Sequence, residues 1–420
     1  MKIYLIGIKG AGMSALANIL LDDQYLVRGS DKKDYIHSQD ELIKRKVIID
    51  SLEQEEYLNS DIIIIGHSFY TDELVQKLNR NKKVYFEYHE FLSLYLDQSK
   101  TISICGSHGK TTLTKLLAKA GLNASYLIGD GEGSKKESDD FFFLESCEYK
   151  NHFLLYNPKE IIITNIDYDH VDFFKDENDY VNSFKQFANK GEKVYCLYQS
   201  SLFLDRKDNL ITYGLTPKAD YFLQEKKDNY VAYHKNKELI NFHMERKPNH
   251  FLEKIIALIA FYNEHNYDLN IVLNKIRDFE FPYQRFNVEE YNGSVIISDY
   301  CHHPSQIEFN YEQLCFYYEN YIKIAIFRPD RASRIVAFKK RFIEELKKYD
   351  YAFVLPLSKT ENSSLSSKEL EEKHVKVIDN VDEILEIISP NKQYCFSFMS
   401  SKNLTDDISF FKELLLKRKL

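Results

Sequence analysis

Seven residues in a row, Gly106-Ser107-His108-Gly109-Lys110-Thr111-Thr112, have the types and order of a phosphate-gripping loop. A glycine-rich turn lets successive backbone amides face one anion. A lysine then meets the terminal phosphates, and the Ser/Thr hydroxyl after it reaches Mg2+. The chemistry this predicts is binding of ATP or a close relative. The spacing is shorter than the common G-x-x-x-x-G-K-[ST], because the leading glycine falls at Gly106 and the usual position is Ile104. Candidate metal ligands follow two apolar runs. Glu145 and Glu148 come after residues 141–144, and Asp167, Asp169 and His170 come after 161–164. Mg2+ keeps several waters, so one or two of these carboxylates beside a nucleotide suffice. For His170 the residues alone leave three readings open: a ligand, an orienting group or a surface residue.

Three further sets of residues lie at the ends of apolar runs. Gly7-Ile-Lys-Gly10-Ala11-Gly12-Met13-Ser14 resembles a dinucleotide fingerprint, with glycines spaced G-x-x-G-x-G instead of G-x-G-x-x-G. Asp31 stands where a ribose-binding acid belongs, so a nucleotide diphosphate is expected here, without nicotinamide being implied. Later come Ser298-Asp-Tyr-Cys-His302-His303-Pro304 and Phe327-Arg-Pro-Asp-Arg331-Ala-Ser-Arg334. Arginine offers a planar fork of donors that fits carboxylates and phosphates.

These groups need a scaffold that gathers strand ends, and the pattern supplies one. Strands are expected at 3–8, 25–28 and 61–66, with helices at 13–21 and 39–46 between them. The run Ile62-Ile-Ile-Ile65 lacks alternation, as in a parallel strand covered on both faces. A second series begins with a strand at 101–105, the phosphate loop and a helix at 113–120. It continues with strands at 141–144 and 161–164, short strands and Lys/Asp-rich turns over 191–247, and helices at 252–262 and 271–278. A third series has strands at 295–298, 322–327, 351–356 and 393–398, and helices at 337–348, 368–373 and 406–417. Residues 358–367 are serine-rich and read as a loop. Alternating strands and helices imply parallel sheets with right-handed crossovers.

Length and composition agree with that reading. A chain of 420 residues suggests two to three domains. With 44% hydrophobic and 29% charged residues it has the mix of a globular protein. No stretch of 18 residues lacks charge, so no membrane span is expected. The first residues enter a strand directly, so no signal peptide is expected and the location is taken as cytoplasmic. Six cysteines are scattered without a CxxC pair and read as reduced thiols, not a disulfide frame or a zinc site. A net charge of −8 argues against a nucleic-acid partner.

In combination the motifs resemble the Mur ligases, and among them the UDP-N-acetylmuramate–L-alanine ligases. The residues that carry the resemblance occur in order: Gly7-Ile-Lys-Gly-Ala-Gly-Met-Ser, Gly106-Ser-His-Gly-Lys-Thr-Thr, Phe143-Leu-Glu-Ser-Cys-Glu-Tyr, Thr164-Asn-Ile-Asp-Tyr-Asp-His, Arg285-Phe, Asp299-Tyr-Cys-His-His-Pro and Phe327-Arg-Pro-Asp-Arg-Ala-Ser-Arg. The match runs from residue 1 to about 335, and Lys9 with 145–149 looks like the Gram-positive type. The shortened phosphate loop resembles the form that these ligases share.

The resemblance implies an α/β protein of three domains. These would be a Rossmann-like domain at 1–98 for the UDP part of the substrate, a P-loop-type ATPase domain at 99–278, and a Rossmann-like domain at 279–420 for the amino acid. It implies ATP and Mg2+ as cofactors, with UDP-N-acetylmuramate and L-alanine as small-molecule partners. The reaction would pass through an acyl phosphate, on a monomer or weak dimer. By resemblance, Gly10, Ala11, Gly12, Met13, Ser14 and Asp31 bind the UDP substrate. Gly106, Ser107, His108, Gly109, Lys110, Thr111, Thr112, Asn165 and Arg285 bind ATP, and Thr111, Glu145 and His170 hold Mg2+. Lys110, His170, His302 and Arg334 would serve catalysis. Asp330-Arg331 stand where a His-Thr is usual, and Asn249-His250 where a His-Asn is usual. Two alternatives stay open: a related ligase that accepts a recycled tripeptide, and a nucleotide-binding paralogue with lost or reduced activity.

Overall fold

The computed structural model describes residues 1–417 other than 122, 206, 207, 228, 283, 284, 292, 358–365, 390 and 391. Two compact units divide the chain. The first takes Met1–Tyr168, Glu177–Glu245 and Phe251–Glu280, and the second takes Asp169–Asp176, Arg246–His250 and Phe281–Leu420.

The first unit opens with a five-stranded parallel sheet. Its strands are β1 (Lys2–Ile6), β2 (Leu26–Asp31), β3 (Ile48–Ser51), β4 (Ile62–Ile65) and β5 (Val84–Glu87), in the order β3-β2-β1-β4-β5. Helices α1 (Ala11–Asp22), α2 (Gln39–Lys44), α3 (Asp72–Arg80) and α4 (Tyr88–Tyr95) accompany them. The order reverses between β1 and β4, and such a switch point leaves a crevice at the carboxyl ends of the strands. Tyr4 and Ile6 of β1 pack with Ile63 and Ile65 of β4, Tyr57 and Leu78 in one apolar cluster. Ile64, on the opposite face, is buried as well, so β4 is covered on both faces and its run has no polar residue.

The same unit carries a ten-stranded sheet. Its elements in chain order are β6 (Thr101–Cys105), α5 (Lys110–Ala120), β7 (Ala124–Leu127), β8 (Gly133–Ser134), β9 (Phe141–Glu145), β10 (Glu160–Ile163), α6 (Glu177–Ala188), β11 (Lys193–Leu197), the short α7 (Tyr198–Ser201) and β12 (Leu210–Gly214). Then follow β13 (Tyr221–Lys226), β14 (Asn229–His234), β15 (Lys237–Phe242), α8 (Asn249–Glu264) and α9 (Leu269–Lys275). The order is β15-β14-β13-β12-β11-β10-β6-β9-β7-β8. Strands β6, β9, β10 and β11 are parallel, and β13–β15 form an antiparallel meander. β6 is buried along its whole length, so the phosphate loop leaves a central, doubly covered strand. Ile255–Tyr262 of α8 is buried on every side, and Tyr262 donates its hydroxyl proton to Leu117 O of α5 at 2.7 Å.

The second unit has a six-stranded sheet. Its strands are β16 (Asn287–Tyr291), β17 (Ser294–Asp299), β18 (Ile322–Phe327), β19 (Tyr351–Val354), β20 (Val375–Val377) and β21 (Tyr394–Met399), ordered β16-β17-β21-β18-β19-β20. Only β16 is antiparallel among the described strands of this sheet. Helices α10 (Pro304–Tyr317), α11 (Ala332–Leu346) and α12 (Thr405–Lys417) complete it.

Two local expectations need adjustment. Residues 368–373 form no α-helix; a single 3-10 turn, Ser367–Leu370, stands there. Helix α11 begins at Ala332, one full turn and more before the expected 337, and its backbone kinks at Phe338 (φ −118°, ψ 15°). The serine-rich stretch lies, over 358–365, outside the described residues.

Candidate active site

The phosphate loop is built by two segments of the first unit. Gly106 (φ +129°) and Gly109 (φ +78°) take backbone shapes that side chains resist. A Cβ on Gly106 would stand 2.2 Å from Thr164 Oγ1 and 2.8 Å from Asn165 O. The loop is pinned by the residues after β10. His108 N–H donates to Asn165 Oδ1 at 2.9 Å, and Asn165 Nδ2 donates to His108 O at 3.0 Å. Thr164 donates to His108 O at 2.7 Å, and Ser107 Oγ donates to Asp167 O at 2.7 Å. Asn165, expected at the cofactor, thus spends both amide atoms on the loop backbone.

Helix α5 starts at Lys110 with Gly109 as N-cap, no side-chain cap and no acid in its first turn. An uncapped helix N-terminus after glycine-rich backbone favours an anion, through free amides and the helix dipole. Lys110 Nζ donates to Gly106 O at 2.5 Å and to Glu148 Oε2 at 2.9 Å. Burial opposes the ammonium charge, but the neighbouring Glu148, with Cys147 and Glu145, outweighs it, so Lys110 holds its proton more firmly than a free lysine. Thr111 Oγ1 donates to Glu145 Oε1 at 3.0 Å, while Glu145 Oε2 accepts from Gly129 N–H at 2.7 Å. A hydroxyl and a carboxylate set side by side at the loop are hard oxygen donors that fit Mg2+. His170 belongs to the segment Asp169–Asp176, which packs with the second unit.

The N-terminal loop is tied differently. Asp31 accepts from Lys9 N–H (2.7 Å) and from Lys32 N–H (2.7 Å), one on each carboxylate oxygen. Its present work is to anchor the turn between β1 and α1. Lys9 Nζ donates to Lys32 O (2.8 Å) and Asp34 O (3.0 Å), and Ser14 Oγ donates to Ser38 O at 2.6 Å. Helix α1 also starts without a side-chain cap and without an acid in its first turn. A Cβ on Gly12 would stand 2.5 Å from the Tyr88 hydroxyl, so only glycine allows that ring to lie against the helix start.

In the second unit Arg334, 4% exposed, is the centre of a charged knot. Its Nε and Nη2 donate to the two oxygens of Asp169 at 2.8 and 3.1 Å, and its Nη1 donates to Asp330 at 2.8 Å. Ser401 donates to the same Asp330 oxygen at 2.7 Å. His302 Nε2 lies 3.7 Å from Asp169 Oδ2. Burial, then the Arg334 charge, lower the His302 pKa to about 4, against the pull of Asp169. Asp169 is held well below the usual carboxylate range: burial pushes it up, and His302 and Arg334 overcome that. Arg285 lays its guanidinium 4.3 Å over the Tyr300 ring and donates to Tyr300 O at 3.2 Å. The unusual Asp330-Arg331 pair is accounted for, because Asp330 holds Arg334 and Arg331 donates to Asp172 at 2.6 Å.

Residues 2–100 match the family described as "Mur ligase family, catalytic domain". Among solved structures, the UDP-N-acetylmuramate-alanine ligase of Thermotoga maritima superposes with a TM-score of 0.79 at 20% identity, over 100% of both chains. A murein peptide ligase of Psychrobacter arcticus gives 0.71 at 17% identity, over 99% of this chain and 98% of its own. A MurF ligase of Thermotoga maritima, solved in complex with ADP, gives 0.63 at 15% over 87% and 91%. The chain has the Mur ligase fold. It is α/β with three sheets, as the sequence implied.

Sequence reasoning missed two participants in this example of the Mur ligase fold. Glu148, by sequence one of the candidate metal acids, is 1% exposed and faces Lys110. Lys254 of α8 lies in none of the motifs. A Cβ built on Gly109 would stand 2.7 Å from Lys254 Cε and 3.1 Å from its Nζ, so this cation lies over the second loop glycine. The only signal was a lysine interrupting the apolar pattern one residue before Ile255.

Proposed function

We propose that the protein is an ATP-dependent ligase that joins L-alanine to UDP-N-acetylmuramate through an acyl phosphate. The observation that carries this reading is the arrangement at the start of α5. There an uncapped helix N-terminus, a lysine paired with the buried Glu148, and a threonine hydroxyl against a carboxylate meet at one loop. Such a loop suits phosphoryl transfer, where the protein aligns the γ-phosphoryl group and neutralises its charge. The muramoyl carboxylate would accept that group. The alanine amine would then attack the acyl carbon, and inorganic phosphate would leave.

Lys110 and the first amides of α5 would hold the terminal phosphates. Thr111, Glu145 and His170 would hold Mg2+, which when bound screens the phosphoryl oxygens. Gly10, Ala11, Gly12, Met13 and Ser14 would face the UDP diphosphate. Arg285 is assigned to ATP phosphates, and His302 and Arg334 to the carboxylate and amine partners.

The test is phosphate release with UDP-N-acetylmuramate against a panel of amino acids. Alanine-dependent release is expected, and no release at any alanine concentration from folded protein would sink the proposal. A second reading, attachment of a recycled tripeptide, is favoured by the likeness to a murein peptide ligase over 99% of this chain. Faster release with the tripeptide than with alanine would select it.

A further inference from the structure

Four side chains with metal-binding chemistry meet in the first unit, away from the phosphate loop's own donors. His67 opens the 3-10 turn His67–Phe69 that follows β4, and Glu87 is the last residue of β5. The two strands are adjacent and parallel, with Ile65 opposite Glu87, so both side chains leave the same edge of the sheet. His152 comes from the turn Tyr149–Leu155 beyond β9. One ligand atom from each of His67, Glu87 and His152 lies within 4.8 Å of the other two. His89, at the start of α4, stacks on His152 with ring centroids 3.9 Å apart.

We propose that His67, Glu87 and His152 form a binding site for a zinc-class divalent metal, tying the carboxyl ends of β4 and β5 to the Tyr149–Leu155 turn. Two imidazoles and a carboxylate with a fourth position open are the donor set of such ions, and imidazole disfavours Mg2+ and Ca2+. Tetrahedral ligation at about 2.0–2.1 Å places donor atoms about 3.4 Å apart, so side-chain rotations of about 1 Å close the site.

Three features of the surroundings point the same way. Glu87 Oε2 is fixed by His89 N–H at 2.9 Å, while Oε1 is buried without a hydrogen-bond partner, 3.8 Å from His67 Nδ1. Outer contacts that orient ligands accompany metal sites; here His89 backs His152, and His89 Nδ1 is 2.7 Å from the Tyr156 hydroxyl. Lastly, Lys150 and Asn151 both take left-handed backbone (φ 54° and 61°), a shape that two consecutive non-glycine residues adopt only where surrounding contacts dictate it. That kink sets the Lys150 ammonium 2.8 Å from His67 Nε2. The cluster therefore already attracts a cation, and a bound dication would displace this one.

The experiment is titration of the metal-stripped full chain with Co2+, read by visible absorption, followed by displacement with Zn2+. It needs no nucleotide and no turnover, so its outcome is independent of the ligase reading. One equivalent of Co2+ is expected, with intense ligand-field bands, no thiolate charge-transfer band, and complete displacement by Zn2+. Glu87→Gln and His152→Gln should each weaken binding by at least about tenfold, and Lys150→Met should tighten it by removing the competing charge. Thermal midpoints in chelator verify that the variants fold. Absence of saturable binding by the wild type, a thiolate band, or undiminished binding in both ligand variants would overturn the proposal.

Discussion

Replacing Lys110 by methionine removes the ammonium from a carboxylate that is 1% exposed and 2.9 Å away. At an effective dielectric constant of about 20, two unit charges at that distance attract by about 6 kcal/mol. Desolvation offsets part of this, and breaking one side of a buried pair costs roughly 3–5 kcal/mol. The ligand-free variant should therefore unfold earlier in urea by about that amount, besides losing ATP turnover. Adding Glu148→Gln should restore much of the stability, because the buried charge is gone, while turnover stays lost. Stability of the single and double variants is measured by denaturation in both units' probes, and the coupling by a double-mutant cycle. The raised Lys110 pKa makes the pair's contribution complete at neutral pH, to be lost only as alkali approaches that pKa. If Lys110→Met is as stable as wild type, or the double variant no better than the single, the electrostatic account of the loop is wrong.

Gly106→Ala forces a Cβ to 2.2 Å from Thr164 Oγ1 at φ +129°. It should cost roughly 2–3 kcal/mol and abolish nucleotide binding measured by calorimetry. Lys254→Met should raise the KM for ATP about tenfold, the scale of one charge-assisted hydrogen bond, with a smaller change in kcat. His302, whose pKa is lowered to about 4 in the fold, takes up a proton more readily when unfolded. Stability should fall by about 1.4 kcal/mol per unit as pH drops from about 6.5 towards 4. His302→Asn should flatten that slope in denaturation curves recorded across the range.

Much of this was legible in the order of residues, for identifiable reasons. β1, β6 and β18 are covered on both faces, so their apolar runs stand out. β3 and β5 are four-residue strands with exposed starts at Ile48 and Val84, and such short edges carry too little pattern to see. The turn Ser367–Leu370 has helix-forming residues but extends for four residues only. The start of α11 is hard to see because Ser333 and Arg334 interrupt the apolar pattern there, and Arg334 meets Asp330 four positions back. Glycine placement revealed the phosphate loop, since glycine reports backbone shape directly. Partners far apart in sequence were not readable. Lys110 and Glu148 are 38 positions apart, Arg334 and Asp169 are 165, and no local pattern encodes such pairings.

The allocation of short segments to the second unit bears on how the protein can be dissected. Asp169–Asp176 and Arg246–His250 pack with residues from Phe281 onward, although both interrupt the chain of the first unit. A fragment beginning at Phe281 would contain Arg334 and Asp330 but not Asp169, whose two oxygens hold the guanidinium. A fragment ending at Glu280 would carry Asp169 with its buried cation missing. Cutting the gene between Glu280 and Phe281 thus separates opposite charges that both belong to the second unit, and the carboxyl-terminal fragment inherits an incomplete interior. Any split version of this protein, for labelling, screening or recombination, would have to transplant the eight-residue piece along with the carboxyl-terminal unit.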